Sequence, residues 1–349
     1  MKPLQIREYG RMPDGRAVHE YSLDTGAGLR LSVIEYGGIV TRLEVPDARG
    51  NFGNVVLGLP TLEDYRLRNP HFGVIVGRYG NRIGQGGFTL DGEPYTLSTN
   101  DGGNCLHGGA QGFGLQLWSI EPEGDDCLCL RLESPDGDQG FPGRVATTVR
   151  YRLTGDRDWQ VEYEATTDRA TVINLTHHDY FNLAGAGSVL GHELEIAASR
   201  YCEVDMRMIP TGIADVTGTP FDFRTPQRIE ARIRQAHPQL QRAQGYDHHW
   251  VLDAPFDGEL HLAARLRDPA SGRAMEVLTT EPGVQFYSGN FLNGTLAGPD
   301  GQLYRQGDGL CLETQHGPDS PHHAPDSDWP TTILRPGQTY RSKTLHRFG

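Results

Sequence analysis

The chain has 349 residues, with 32 Lys and Arg against 45 Asp and Glu, and the resulting net charge of −13 repels phosphate backbones and anionic lipid. Nucleic-acid and membrane-surface roles are therefore set aside at the outset. Forty-five glycines against an ordinary share of about 7%, with 37% hydrophobic residues, describe a folded protein rich in turns. The start, MKPLQIREYG, lacks the apolar stretch of a signal peptide and no apolar run is long enough to span a bilayer, so a cytoplasmic location is expected. Five cysteines are too few for a disulfide framework and odd in number, so reduced thiols are expected.

In chain order, Leu29, Leu31 and Val33 alternate with Arg30 and Ser32, the period of a half-buried strand. Thr61 to Arg66 reads as a single helical turn. Asp91-Gly92, inside FTLDGEPYTL, supplies the positive φ angles of a tight hairpin. Leu128, Leu130 and Leu132 alternate with Cys129, Arg131 and Glu133. Cys127 and Cys129 then read as strand residues, because they have no second pair or histidine at ligand spacing to make a zinc site. Asp136-Gly137 marks a further turn, and Trp159, Val161, Tyr163 and Ala165 alternate with Gln160, Glu162 and Glu164. Pro226 to His237 carries a helical pattern that Pro238 should end. Pro269 to Gly272 is a turn before a strand at Met275 to Thr280. No repeat, linker or boundary interrupts the pattern, so residues 1–349 read as one all-β domain, a large antiparallel sandwich with few short helices.

Five polar segments place several hydrogen-bonding side chains among glycines and aromatics. They are Gly77-Arg-Tyr-Gly-Asn81-Arg82-Ile-Gly; Asn104-Cys-Leu-His107-Gly-Gly; Asn174-Leu-Thr-His177-His178-Asp-Tyr-Phe-Asn182-Leu-Ala-Gly; Gly245-Tyr-Asp247-His248-His249-Trp250; and Glu281-Pro-Gly-Val-Gln285-Phe-Tyr287, continued by Leu312-Glu313-Thr-Gln-His-Gly-Pro-Asp319-Ser. The GxxxxGK[ST] lysine and hydroxyl are absent around Gly77, Gly80 and Gly84, which removes a phosphate-loop reading.

These segments resemble the aldose 1-epimerase (galactose mutarotase) family, which writes them approximately as GRYANRI, NxLHGG, NxTxHxYFNLAG, GxDHxF, EPGxQxYTGNFL and ETQxFPDxxN. All six have counterparts here in the same order, and Tyr201 to Arg224 is similar to the family's segment around I-P-T-G. The resemblance spans Gly77 to Pro336. It implies a β-supersandwich with an open sugar cleft, interconverting the α and β anomers of an aldohexose such as galactose or glucose, as a monomer or homodimer. Carried over position by position, the general acid falls on His178 and the general base on Glu313. Substrate-positioning roles fall on Asn81, Arg82, His107, Asp247 and Gln285. No metal and no organic cofactor is implied, and the partner is a monosaccharide. The family usually has Phe where this chain has Gly317 and Asn where it has His322, with extra residues His323 to Asp328, so the loop beside the base is expected to be reshaped.

The chemistry accounts for the residue types. Opening a cyclic sugar requires a proton on the ring oxygen and removal of one from the anomeric hydroxyl. One acid and one base set on the two oxygens of a single hemiacetal meet both demands. Histidine is matched to proton exchange near neutrality and a carboxylate suits the other end. Tyr180, Trp118 or Trp250 would offer an apolar wall to the sugar. Adjacent histidines in a strand point opposite ways, so the pairs 177/178, 248/249 and 322/323 are poor chelators. The rival functions are a hexose-6-phosphate 1-epimerase, which would want additional cations, a non-catalytic sugar-binding module, and a glycosidase, which normally uses two carboxylates.

Overall fold

A computed structural model describes residues 1–26, 28–326 and 328–349. Strands with alternating apolar side chains can bury only one face, so they collect into sheets and the sheets pack together. Three large sheets result, antiparallel throughout. The first is a five-stranded meander in sequence order: Lys2–Arg11, Ala17–Asp24, Arg30–Ile34, Val40–Pro46 and Phe52–Asn54. The second has nine strands. It runs from Ser119–Pro122 through Cys127–Ser134, Val145–Thr154 and Asp158–Thr167 to the C-terminal strand Tyr340–Phe348, then Ala274–Thr279, His261–Arg267, Glu193–Ile196 and Gln227–Arg228. The third, which carries the site, is ordered Pro210–Asp215, Arg200–Val204, Asp247–Val251, Gly283–Tyr287, Cys311–Gln315.

One apolar cluster draws on all three, among them Leu31 and Val33, Val149, Trp159 and Val161, and Trp250, Phe286 and Leu312. The alternation places these residues as expected: Trp159, Val161, Tyr163 and Ala165 are buried while Glu164 is exposed. Cys127 and Cys129 are buried strand residues, and all five thiols are free. Asp91 and Gly92, at φ 54° and 84°, form the two-residue link between Gly87–Leu90 and Glu93–Thr96. The Asp136-Gly137 pair makes a looser connection, for only Gly137 takes a positive φ and the next strand starts at Val145.

Thr61 caps the helix Leu62–Arg68, its hydroxyl accepting from the Asp64 amide at 3.1 Å, with Glu63 and Asp64 in the first turn and Arg66 and Arg68 in the last. The second helix departs from the sequence reading. No helix covers 226–237; Gln227–Arg228 is an edge strand paired with Glu193 and Leu194, followed by a 3₁₀ turn at Ile229–Ala231. The helix is Pro238–Ala243, and Pro238 opens it. Proline's fixed φ and missing N–H suit the first helical position as well as they terminate a preceding helix, and the His237 ring caps the turn by accepting from the Gln239 amide at 3.3 Å. Among the described residues no helix is long and apolar enough to cross a membrane.

Candidate active site

The third sheet ends at Cys311–Gln315, where Glu313 stands directly opposite Gln285, and Gln285 in turn opposite His249. Residues facing each other across antiparallel strands share a face, so this register puts a polar row along one side of the sheet. Glu313 is 2% exposed and its Oε1 lies 3.6 Å from His178 Nε2. His178 is fixed through its backbone, its amide donating to the Val74 carbonyl at 3.0 Å and its carbonyl accepting from Gly73 at 3.0 Å. Its ring stacks on Tyr180 at 5.1 Å, and Nδ1 is 3.5 Å from the Cys311 sulfur.

Both groups open into a cleft of about 520 Å³ that is also lined by Asn81, Arg82, His107 and Asp247, with Tyr180, Tyr287 and Leu292 as apolar wall. The size is that of an ordinary small-molecule site. Asn81 and His107 are clamped together. The Asn81 amide donates to His107 Nδ1 at 3.2 Å, and the His107 amide donates to the Asn81 carbonyl at 3.0 Å. Arg82 is held by Asp101, 2.7 Å from its Nε. Gln285 stands behind Asp247 rather than on the cleft wall, its Nε2 donating to Asp247 Oδ1 at 2.7 Å.

Burial decides the protonation of the pair. It pushes Glu313 well above the usual carboxylate range, the Asp247 carboxyl adding to the effect and Arg82 opposing it. It holds His178 well below the usual imidazole range, with the nearby His71 ring adding to this. Both shifts run toward the uncharged forms, a protonated Glu313 and a neutral His178. Burial raises Asp247 as well, while Arg82 and the Gln285 amide oppose that shift.

Ligand atoms of His107, His178 and Glu313 lie within 4.8 Å of one another, a set that resembles a metal triad. The Asn81 hydrogen bond argues otherwise. By occupying the Nδ1 lone pair it puts the neutral ring's proton on Nε2, which leaves His107 a donor to substrate with no free lone pair for a cation. Of the other histidines of the pairs, His249 is buried with its Nδ1 unpaired among the described residues, and the rest have partners outside the cleft. His177 is buried between Tyr151 at 2.8 Å and Asp179 at 2.6 Å, and His248 bonds Gln239 at 3.1 Å. His322 bonds Asp319 at 2.7 Å, and His323 stacks on Trp329.

The aldose 1-epimerase family profile matches residues 19–347. The chain belongs to the aldose 1-epimerase family. It is 41% identical over 344 residues to human galactose mutarotase, covering 97% of each chain, and 39% identical over 338 residues to the aldose 1-epimerase of Escherichia coli (strain K12), covering 96% of each. Among solved structures it is similar to the galactose 1-epimerase of Lactobacillus acidophilus, with a TM-score of 0.85 at 28% identity, covering 99% of this chain and 98% of that one. The fold is the galactose mutarotase-like one that the motifs implied, and the family match reaches well upstream of Gly77, taking in the N-terminal meander from His19 onward.

Two sequence-based expectations about the aldose 1-epimerase cleft are corrected. Trp118 and Trp250 are core residues, Trp118 against Phe113 and Trp250 among Tyr246, Phe223 and Phe286, so of the three aromatics named only Tyr180 lines the cleft. The site also contains a residue that the motifs missed, His71, which precedes the first of them. A signal was available in Asn69-Pro-His71-Phe-Gly73, a turn-forming sequence with an imidazole at its tip. The departure at Gly317 has a structural explanation. A Cβ on Gly317 would meet Trp329 ring atoms at 2.5 and 2.7 Å, so the tryptophan just after the extra residues fills the space a side chain at 317 would take.

Proposed function

We propose that His178 and Glu313 interconvert the α and β anomers of an aldohexose such as galactose or glucose by opening and reclosing its ring. The observation that carries this is the 3.6 Å approach of His178 Nε2 to Glu313 Oε1 inside a sugar-sized cleft. A hemiacetal carries both its oxygens on one carbon, so an acid and a base this close can address both. In the reactive arrangement the proton is on His178 and Glu313 is a carboxylate. Glu313 takes the anomeric proton as the C1 to ring-oxygen bond breaks, and His178 delivers its proton to the ring oxygen. The open aldehyde turns about C1–C2, and closure on the other face returns both protons.

Moving from the neutral to the charged arrangement is assisted by Arg82, whose guanidinium favours the Glu313 carboxylate. His107 presents Nε2–H to a sugar oxygen, and Asp247, held by Gln285, accepts from hydroxyls. A sugar lacking those hydroxyls leaves a buried polar group unpaired, which is the basis of selection. Residues 1–349 act as one domain in this reading, supported by the apolar cluster common to the three sheets.

The phosphorylated-hexose alternative loses its cations. Arg78 is buried and donates to the Pro142 and Gly143 carbonyls at 2.8 and 2.9 Å, and the cleft residues Arg68 and Arg82 are paired with Asp64 and Asp101. The deciding experiment follows the optical rotation of freshly dissolved α-D-galactose and galactose 6-phosphate against the uncatalysed drift. Acceleration of galactose is expected; acceleration of the phosphate alone would refute the assignment.

A further inference from the structure

Among the described residues, nine non-glycines hold a positive φ, and three of them line the same cleft: His71 at 74°, Asn81 at 60° and His107 at 51°. Cβ-bearing residues adopt this conformation at a cost, so its clustering in a site points to side chains that must be presented there. Asn81 and His107 already have a proposed role. His71 has none, yet it is built in as firmly. Asn69 Oδ1 accepts from the Phe72 amide at 2.7 Å, and the following Gly73 and Val74 are the residues bonded to the His178 backbone. The His71 ring is 4.7 Å from that of His107 and 5.6 Å from that of His178.

His177 spends its ring nitrogens on Tyr151 and Asp179 and His192 bonds the Leu183 amide at 3.1 Å, while His249 and His346 are buried away from the cleft with Nδ1 unpaired among the described residues. His71 makes no side-chain hydrogen bond among the described residues, although it faces the cleft. Burial holds its pKa down to about 4, so near neutrality the ring is uncharged and offers one donor and one acceptor. A sugar hydroxyl, itself donor and acceptor, is the complementary group.

We infer that His71 is a further substrate-contacting residue, whose ring hydrogen-bonds a hydroxyl of the bound aldose other than the anomeric one. This rests on the mutarotase reading. A lost neutral hydrogen bond to substrate corresponds to roughly a 5- to 10-fold change in affinity. His71→Asn keeps a residue that tolerates the left-handed backbone while shortening the reach, and His71→Phe keeps the ring's bulk without its nitrogens.

Both variants are expected to raise KM for galactose roughly 5- to 10-fold with kcat within about twofold of wild type. The same assay with 2-, 3-, 4- and 6-deoxygalactose should show one sugar for which the variants carry no further penalty, because the hydroxyl that His71 contacts is already gone. In the wild-type protein, galactose should shift the His71 ring-proton resonance, a readout independent of any variant's folding. An unchanged KM, penalties that add in all four deoxy sugars, or an unmoved resonance on saturation would overturn the inference while leaving mutarotase activity standing. Failure of the wild type to accelerate galactose would instead remove the mutarotase reading, and this inference with it.

Discussion

If His178 and Glu313 act on one shared proton, removing both should cost no more than removing the more important of the two. Glu313→Gln is the informative single change, because burial already favours a neutral carboxyl at that position and a neutral amide of the same shape replaces it with little strain. His178→Asn removes the acid while keeping a polar side chain. A positioned acid or base contributes about 10²–10⁴ in rate, and at 1.36 kcal/mol per decade each single variant should raise the barrier by about 2.7–5.4 kcal/mol. Groups acting independently would multiply to about 10⁴–10⁸ in the double variant. Groups 3.6 Å apart that pass one proton should leave it near the worse single. The assay is polarimetry of α-D-galactose with the spontaneous rate subtracted, alongside thermal unfolding to show that the fold is kept. A multiplicative double variant, or either single within tenfold of wild type, would refute the shared-proton argument.

Activity needs the singly protonated pair, so burial, which lowers His178 and raises Glu313, should widen the plateau of kcat/KM on both sides. Asp247→Asn removes a charge that helps raise Glu313, so the alkaline limb of the kcat/KM profile should move to lower pH. Gln285→Ala frees Asp247 and should raise KM for galactose by roughly 5- to 10-fold with little change in kcat, measured by initial-rate polarimetry. Gly317→Ala pushes a methyl into the Trp329 ring and should destabilise by about 1–3 kcal/mol in denaturant titration, whereas the same change made in a Trp329→Ala background, with the ring gone, should cost little. Burial alone would raise Glu281, but the His316 ring 2.6 Å away and its hydroxyl partners outweigh it and hold the carboxyl below its ordinary range. The stability this supplies is present above the unfolded-state pKa and is lost as pH falls through the folded one. Glu281→Gln should therefore flatten the decline of the melting temperature on acidification.

Much of the fold was readable because alternation has one physical meaning: every strand named from its pattern is present, though in Cys127–Ser134 the off-phase Cys129 is buried and Leu132 only partly so. His178, Glu313 and four of the five residues that the resemblance assigns to substrate positioning line one cleft, each from a polar segment among glycines. What escaped the sequence depended on context. Pro238 obeys a rule that ends helices and another that begins them, and only the surroundings choose. Gln227 and Arg228 look helical beside Ile229 but find a sheet edge to pair with. Trp250 lies three residues from Asp247 in one strand and so faces the other way, into the core. Gln285 shares a face with Glu313, yet no pattern says which of two same-face residues reaches the cleft and which stands behind its neighbour. His71 lies outside every motif, and its place is set by a turn that folds back onto the backbone of His178.

The exchange between positions 317 and 329 bears on how this chain can change. The aromatic bulk beside the Glu313 strand is supplied from a separate loop, and a side chain at 317 would compete for the same volume. Replacing the glycine first brings a collision, and trimming the tryptophan first opens a hole. Each route from one arrangement to the other therefore passes through a weaker protein, and the two positions should be inherited together.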